Sequence, residues 1–219
     1  MKKLILISIS IILYFSIYAQ LREHEGYYIT PDSDTVHGKF LIPVDDLGNL
    51  NLARIQWRIL FENDQNDIRV FKPGEIDCFY IQDSIESLIY FTLELYMNDL
   101  VFVRQVMDGQ LRLFAHYSEE LVGAKDDIRF INNLFTYPRK AEPDYYVVKK
   151  PNQELVKVME FSMYRILPEY LSDNPSLAEK IKDKELKYPD VYSIVRQYND
   201  WHKKEAKKLT TSVEIDLNR

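Results

Sequence analysis

Cysteine occurs once in this chain of 219 residues, at Cys78, and glycine only six times. A single cysteine excludes an intrachain disulfide, so stability must come from burial and hydrogen bonding. Cys78 stands in the apolar run Ile76-Asp-Cys-Phe-Tyr-Ile81, the setting of a buried thiol rather than a reactive one. The scarce glycines form neither a Gly-x-Gly-x-x-Gly turn nor a P-loop, which leaves no phosphate-cradling loop. The four histidines, His24, His37, His116 and His202, are nowhere paired at i+2 or i+4, so zinc ligation has no support. Gly-x-Ser-x-Gly is absent, and Cys78 has no histidine near it in sequence.

The acidic run Glu62-Asn-Asp-Gln-Asn-Asp67 fails the EF-hand template, because Ile68 stands where an oxygen ligand is needed. It reads as a solvated turn. The pairs Asp45-Asp46 and Asp126-Asp127 read as solvated loops. No catalytic residue, no metal ligand and no cofactor-binding residue is assigned, and no cofactor is expected.

What is present begins with an address. Lys2 and Lys3 precede an uncharged apolar run of 15 residues, Leu4 to Tyr18, and then Ala19 and Gln20. This is the layout of a secretory signal peptide, with cleavage expected between Ala19 and Gln20. The run is short for a membrane span, which needs about 20 residues. The expectation is an exported protein, periplasmic, on the outer surface or secreted, with no membrane span after cleavage.

The formal net charge is −6, and loss of Lys2 and Lys3 takes it to −8. Residues 20–148 carry 12 Lys+Arg against 22 Asp+Glu, whereas residues 149–208 carry 13 against 10. This balance argues against nucleic acid as a partner, which selects a basic face.

The middle of the chain reads as strands. Leu88-Ile-Tyr-Phe-Thr-Leu-Glu-Leu-Tyr96 precedes a hairpin, Val101 to Tyr117, that turns at Asp108-Gly109. Tyr145 to Lys149 and Glu154 to Val158 follow. Upstream, Glu25 to Thr30 and Thr35 to Ile42 form a first hairpin, in which Gly38 marks a bulge or a close backbone approach. Ile55, Trp57, Ile59 and Phe61 alternate with Gln56, Arg58 and Leu60, which predicts a half-buried strand. Ile68 to Lys72 and Ile76 to Gln82 complete about ten short strands. The stretch Ser118 to Pro143 is less regular, with a short helix edge at Glu119 to Val122 and Ile128 to Phe135 as helix or strand.

After Met159 the period changes. Pro168 predicts two short turns of helix over Phe161 to Leu171. Asn174-Pro175 opens a second helix, with a capping side chain and then proline at the first helical position. Val191, Ile194, Val195, Tyr198 and Trp201 form the stripe of a last helix. Lys203, Lys204, Lys207 and Lys208 are expected at its C-terminal end, where the helix dipole favours cations.

The chain resembles a family of uncharacterised exported proteins of the Bacteroidota. The residues that carry the likeness are Ala19-Gln20, Gly26-Tyr27, Asp34-Thr-Val-His-Gly38, Phe71-Lys-Pro-Gly-Glu-Ile76, the Val101–Tyr117 hairpin, Tyr145-Tyr-Val147, Tyr170-Leu-Ser-Asp173 and Tyr198-Asn199. In that family a cysteine often follows the Ser-Asp, where this chain has Asn174. The resemblance implies an envelope or secreted location and no activity.

The expected fold class is α+β. Residues 1–19 form the signal peptide, 20–159 an antiparallel β-rich body (meander, sandwich or open barrel), 160–209 a segment of two or three helices packed on the sheet, and 210–219 a flexible tail. The expected function is a non-enzymatic binding module for an envelope protein or extracellular ligand. Its candidate surface comprises Tyr27, Tyr28, Trp57, Tyr90, Tyr96 and Tyr117, residue types that interfaces favour. The competing expectation is a hydrolase of envelope or glycan substrates with a carboxylate-based site.

Overall fold

Period-two alternation of apolar residues produces strands that need a second layer only on one side. The computed structural model describes residues 21–44, 50–83, 87–96, 99–117, 143 and 145–217, without the side chains of Tyr96 and residues 209–217. The expected signal peptide with Ala19 and Gln20, both acidic pairs and nearly all of the Ser118–Pro143 stretch lie outside the described residues. The fold is α+β, an antiparallel sheet of ten strands followed by C-terminal helices. The chain divides into two compact units, residues 1–104 with 117–142, and residues 105–116 with 143–219. The division falls inside a strand, not at Met159, so the last three strands belong with the helices.

The first unit contains β1 (Leu21–Ile29), β2 (Thr35–Pro43), β3 (Ile59–Glu62), β4 (Ile68–Phe71), β5 (Cys78–Gln82), β6 (Ser87–Tyr96) and the start of β7 (Asp99–Met107). Its hydrogen-bonding order is β7-β6-β5-β1-β2-β3-β4. One face buries Tyr28, Phe40, Phe61, Phe71, Phe79 and Tyr90 in a single cluster. Each such side chain contributes about 1.5–3 kcal/mol by leaving water. Phe79 stacks on Tyr90 at 5.0 Å and meets Phe102 edge-on at 5.0 Å.

Two glycines admit this packing. Gly26 lies opposite Gly38 across β1 and β2. A Cβ on Gly26 would stand 2.1 Å from the Tyr80 carbonyl oxygen and 2.8 Å from the Phe40 ring. A Cβ on Gly38 would stand 2.4 Å from the Phe61 ring. Phe40 and Phe61, themselves 5.1 Å apart, therefore lie over bare backbone. The close approach expected at Gly38 is present.

The expected strand from Ile55 to Phe61 is a helix and then a strand. Asn51 accepts the Arg54 N–H at 3.1 Å and caps α1 (Leu52–Ile55). The apolar alternation joined the last helical residue to β3 by coincidence of spacing. Burial is inverted from that expectation, with Gln56 fully buried and Trp57 56% exposed. Gln56 accepts the Phe102 N–H through its backbone oxygen at 3.0 Å and the Tyr117 N–H through its side chain at 2.6 Å.

The second unit holds the end of β7, then β8 (Arg112–His116), β9 (Tyr145–Lys149) and β10 (Val156–Val158), paired in that order. Its helices are α2 (Met163–Tyr170), α3 (Pro175–Lys182) and α4 (Val191–Leu217), with a 3-10 turn at Tyr188–Asp190. Pro168 does not split α2, as was expected. It stands in the last turn, where the Leu171 N–H still reaches the Leu167 carbonyl at 2.9 Å. Met163, Leu167 and Leu171 are fully buried at four-residue steps, and this anchors the helix. Asn174 caps α3 through the Leu177 N–H at 3.2 Å, with Pro175 first in the helix as expected. On α4, Val191, Ile194, Val195 and Tyr198 are buried, as the stripe predicted. The helix continues to Leu217, so residues 210–217 are helical rather than a frayed tail.

Asn199 ties α4 to the hairpin. Its Oδ1 accepts the Leu111 N–H at 2.7 Å, and its Nδ2 donates to the Leu111 carbonyl at 2.9 Å. The amide stands in for a neighbouring strand's peptide at a buried position.

Gly26→Ala will lower stability by about 1–3 kcal/mol, because the blocking atom is a backbone oxygen that cannot rotate away. Asn199→Ala orphans two buried backbone groups and will cost about 2–5 kcal/mol. Both are read as shifts in the urea midpoint at constant slope. Unchanged midpoints contradict the two packing arguments.

Candidate functional site

The six aromatic residues expected to share a surface do not share one. Tyr28, Tyr90 and Tyr117 are core residues with 9%, 0% and 5% exposure and cannot present a ring to a partner. Tyr28 meets Phe71 at 4.6 Å, and Tyr90 lies under Phe79. The Tyr96 side chain lies outside the described residues. Tyr27 and Trp57 remain accessible, Tyr27 half-buried on the opposite face of the sheet from Tyr28. The segment Glu25-Gly-Tyr-Tyr-Ile-Thr30 offers a tyrosine to each face, so its sequence alone did not say which one turns inward.

Register assembles a different surface on the first unit. Ile89, Tyr80, Tyr27 and His37 are successive partners across β6, β5, β1 and β2. Leu41, Leu60 and Val70 are successive partners across β2, β3 and β4. Direct partners share a face, and these two rows lie on the face away from the aromatic core, where Leu41 is buried and the others are half-buried or exposed. Tyr27 stacks on Tyr80 with centroids 5.1 Å apart and lies 5.5 Å from His37. The Tyr80 hydroxyl reaches Ser87 Oγ at 2.6 Å. The stacked pair places two half-buried tyrosine rings on this face, with the Tyr80 hydroxyl hydrogen-bonded within the sheet.

The face becomes more exposed toward β4. Ile68 is 51% exposed and Val70 48% exposed. β4 is last in the hydrogen-bonding order, so one side of its backbone faces no strand among the described residues. An exposed apolar edge strand is a template for strand addition. The row pairing that builds this face was beyond sequence reading, although the apolar Ile68 and Val70 were visible as a signal.

The second unit contains the most strongly perturbed titratable groups. The Lys150 side chain is 7% exposed and meets Asp173 Oδ1 at 2.7 Å. Its ammonium also donates to the Tyr170 carbonyl at 2.7 Å and lies 4.9 Å from the Tyr198 ring centre. Tyr198 donates its hydroxyl to Asp173 Oδ2 at 2.5 Å. Burial pushes the Asp173 carboxyl up, but hydrogen bonds from Lys150 and Tyr198 outweigh it and hold the group below the usual carboxylate range. The Tyr198 hydroxyl is pushed far above the ordinary tyrosine value, first by burial and then by the Asp173 carboxylate. Burial likewise raises Tyr170.

These groups border a cleft of about 420 Å³ lined by Lys150, Gln153, Val156, Ile166, Glu169 and Asp173, among others. Each Asp173 oxygen accepts one hydrogen bond, from Lys150 and from Tyr198. The arrangement ties the end of β9 to the helices by charge pairing. Sequence reading marked Tyr170 to Asp173 as a motif but did not link it to Lys150 or Tyr198, which lie 23 and 25 residues from Asp173.

The remaining candidates are structural. His24 is buried, with Nδ1 3.4 Å from Asp83 Oδ1 and 3.4 Å from the Gln82 carbonyl. His116 stacks on Tyr145 at 4.5 Å. Burial raises the Cys78 thiol, with the Asp77 carboxylate adding to it, so the buried cysteine is held as the unreactive thiol. Among the described residues, no group of three or more His, Cys, Asp or Glu is placed to hold a metal ion. Among the same residues, no helix is long and apolar enough to cross a membrane. No protein family, curated protein or solved structure matches the chain.

Asp173→Asn leaves Lys150 buried without its counter-charge. Because Asp173 is 46% exposed, the cost is discounted to about 1–3 kcal/mol. Asp173 is held below its unfolded value, so its contribution is complete above the ordinary carboxylate range. It is lost as pH falls through the lower folded-state value. Urea midpoints measured from neutral to acid pH will converge between parent and variant at the acid end. A gap that persists there contradicts the ion-pair account.

Proposed function

We propose that this chain is an exported, non-enzymatic binding module, and that it takes a partner polypeptide on the outer face and open edge of the first unit's sheet. The observation that carries the reading is the placement of a stacked tyrosine pair and an exposed apolar edge strand on one face. Extended polypeptide adds to such an edge through its backbone, and apolar side chains at alternate positions then meet Ile68 and Val70. Export rests on the basic, then apolar, then Ala19-Gln20 order of the N-terminus. The acidic balance of residues 20–148 favours a partner whose rim is basic.

A hydrolase with paired carboxylates draws its nearest support from Glu169 and Asp173 beside the second unit's cleft. The hydrogen bonds that Asp173 accepts from Lys150 and Tyr198 weigh against that reading.

Val70→Glu places a charge on the exposed edge without touching the core. It will leave the urea midpoint within about 0.5 kcal/mol of the parent and weaken partner capture at least about tenfold. The measurement is crosslinked capture by the tagged chain from a native envelope fraction, compared between parent and variant by mass spectrometry. A parent that recovers no partner above background, or a variant that recovers the same partner equally well, contradicts the proposal.

A further inference from the structure

The open side of β4 offers fewer backbone groups than its length suggests. Asn63 donates its N–H to the Asp67 carbonyl at 3.1 Å. Beyond that turn Phe61 pairs with Arg69, and Ile59 with Phe71. Hydrogen-bonded pairs alternate along an antiparallel ladder, so these pairs carry the bonds between β3 and β4. The N–H and C=O of Ile68 and Val70 therefore point away from β3. The next N–H on that side belongs to Lys72 and is taken by the Glu75 carboxylate at 2.8 Å. Two residues form the open edge, each with one donor and one acceptor.

The side chains along this edge are polarised. Asp64 and Asp67 lie at its start, Arg69 and Lys72 toward its end, and all four are exposed. The Arg69 guanidinium lies 4.6 Å from the centre of the Phe71 ring, on the inner face. Ile68 and Val70 stand on the outer face. Antiparallel reversal of such a strand lays each charged end beside its opposite.

We infer that the polypeptide taken by this edge is a second copy of the chain, joined β4 to β4 about a two-fold axis with Ile68 of each copy opposite Val70 of the other. The inference rests on the reading of the edge given above and names its partner. A two-fold contact needs one patch that is complementary to itself. In this register four backbone hydrogen bonds form, and every edge group of Ile68 and Val70 is paired. Outer-face pairs of Ile68 with Val70 form twice. On the inner face the two Arg69 meet at the axis, and Asp67 of each copy stands diagonal to Arg69 of the other, which offsets their repulsion. Lys72 falls opposite Asn66, beside the acidic turn. Arg69 and Lys72 thus supply locally the basic groups that an acidic body favours in a partner. Centring the pair on Val70 would call on the Lys72 N–H, which Glu75 holds. Centring it on Ile68 would call on the Asn66 N–H, which bonds the Asn63 carbonyl at 3.0 Å. An edge this short makes a weak, reversible dimer.

The test is sedimentation equilibrium of the full chain, parent against Val70→Glu, with oxidative crosslinking of cysteine variants to fix the register. The N-terminal segment and buried Cys78 are common to all the proteins, so differences report the edge. The parent will dimerise with rising concentration, and Val70→Glu will weaken the dimer at least about tenfold at a retained urea midpoint. R69C will link to itself, because residues opposed at the axis outside a hydrogen-bonded pair bring Cα atoms to about 4.5 Å. I68C and V70C will link to each other when mixed. A dimer that Val70→Glu leaves intact overturns the inference, as does V70C linking to itself while R69C does not. A monomeric parent overturns it too. If that monomer captures another envelope protein and Val70→Glu abolishes the capture, the edge reading stands without the second copy. If it captures none, both fall.

Discussion

Bare backbone at Gly26 and Gly38 is the constraint on which the first unit depends. Across β1 and β2 the two residues are partners, and the Phe40 and Phe61 rings occupy the space that their side chains would fill. The sheet can then bury a continuous aromatic layer at native density. Because the period of a strand is two, seating those rings on one face commits Tyr27, His37, Leu41 and Tyr80 to the other. The outer surface is therefore a consequence of the core's register, and a one-residue slip would exchange the two.

The second unit solves a different problem, that of holding helices to a short run of strands. Apolar contact supplies most of the attraction, while polar side chains set the position. Asn199 completes the backbone pairing of Leu111, and Lys150 joins Asp173 and the Tyr170 carbonyl. In the first unit Gln56 serves likewise, by taking the N–H groups of Phe102 and Tyr117. Buried polar groups are costly unless hydrogen-bonded, and the bonds these side chains make specify one arrangement, with Gln56 Nε2 alone of them left without a partner among the described residues. Their perturbed chemistry is thereby explained by architecture, which turns attention to the exposed edge of β4 for function.

Much of the fold was legible because local signals agreed with the tertiary answer. The two hairpins, the strands from Ser87 to Val158 and the Asn174-Pro175 helix start each combine a period with the right turn or cap. The failures have physical causes. Ile55, Ile59 and Phe61 are buried from two different elements that happen to keep an even spacing, and the Asn51 cap that separates them was the overlooked signal. Pro168 costs little in the final turn of a helix already anchored by Met163 and Leu167. The lysines of α4 were assigned to a helix end, whereas the helix runs on to Leu217. The surface was the least legible part, since Tyr27 and Tyr28 differ in burial only through a register set by partners more than fifty residues away.

We propose that this chain works through the exposed edge of β4 rather than through its buried polar clusters. Site-specific photocrosslinking in the native envelope tests this most directly, with the reactive group placed in turn at Val70 and Gln153. A protein adduct is predicted from position 70 and none from position 153, which lines the Lys150 cleft. Silence at position 70 together with a specific adduct at position 153 would contradict it and move the function to the cleft.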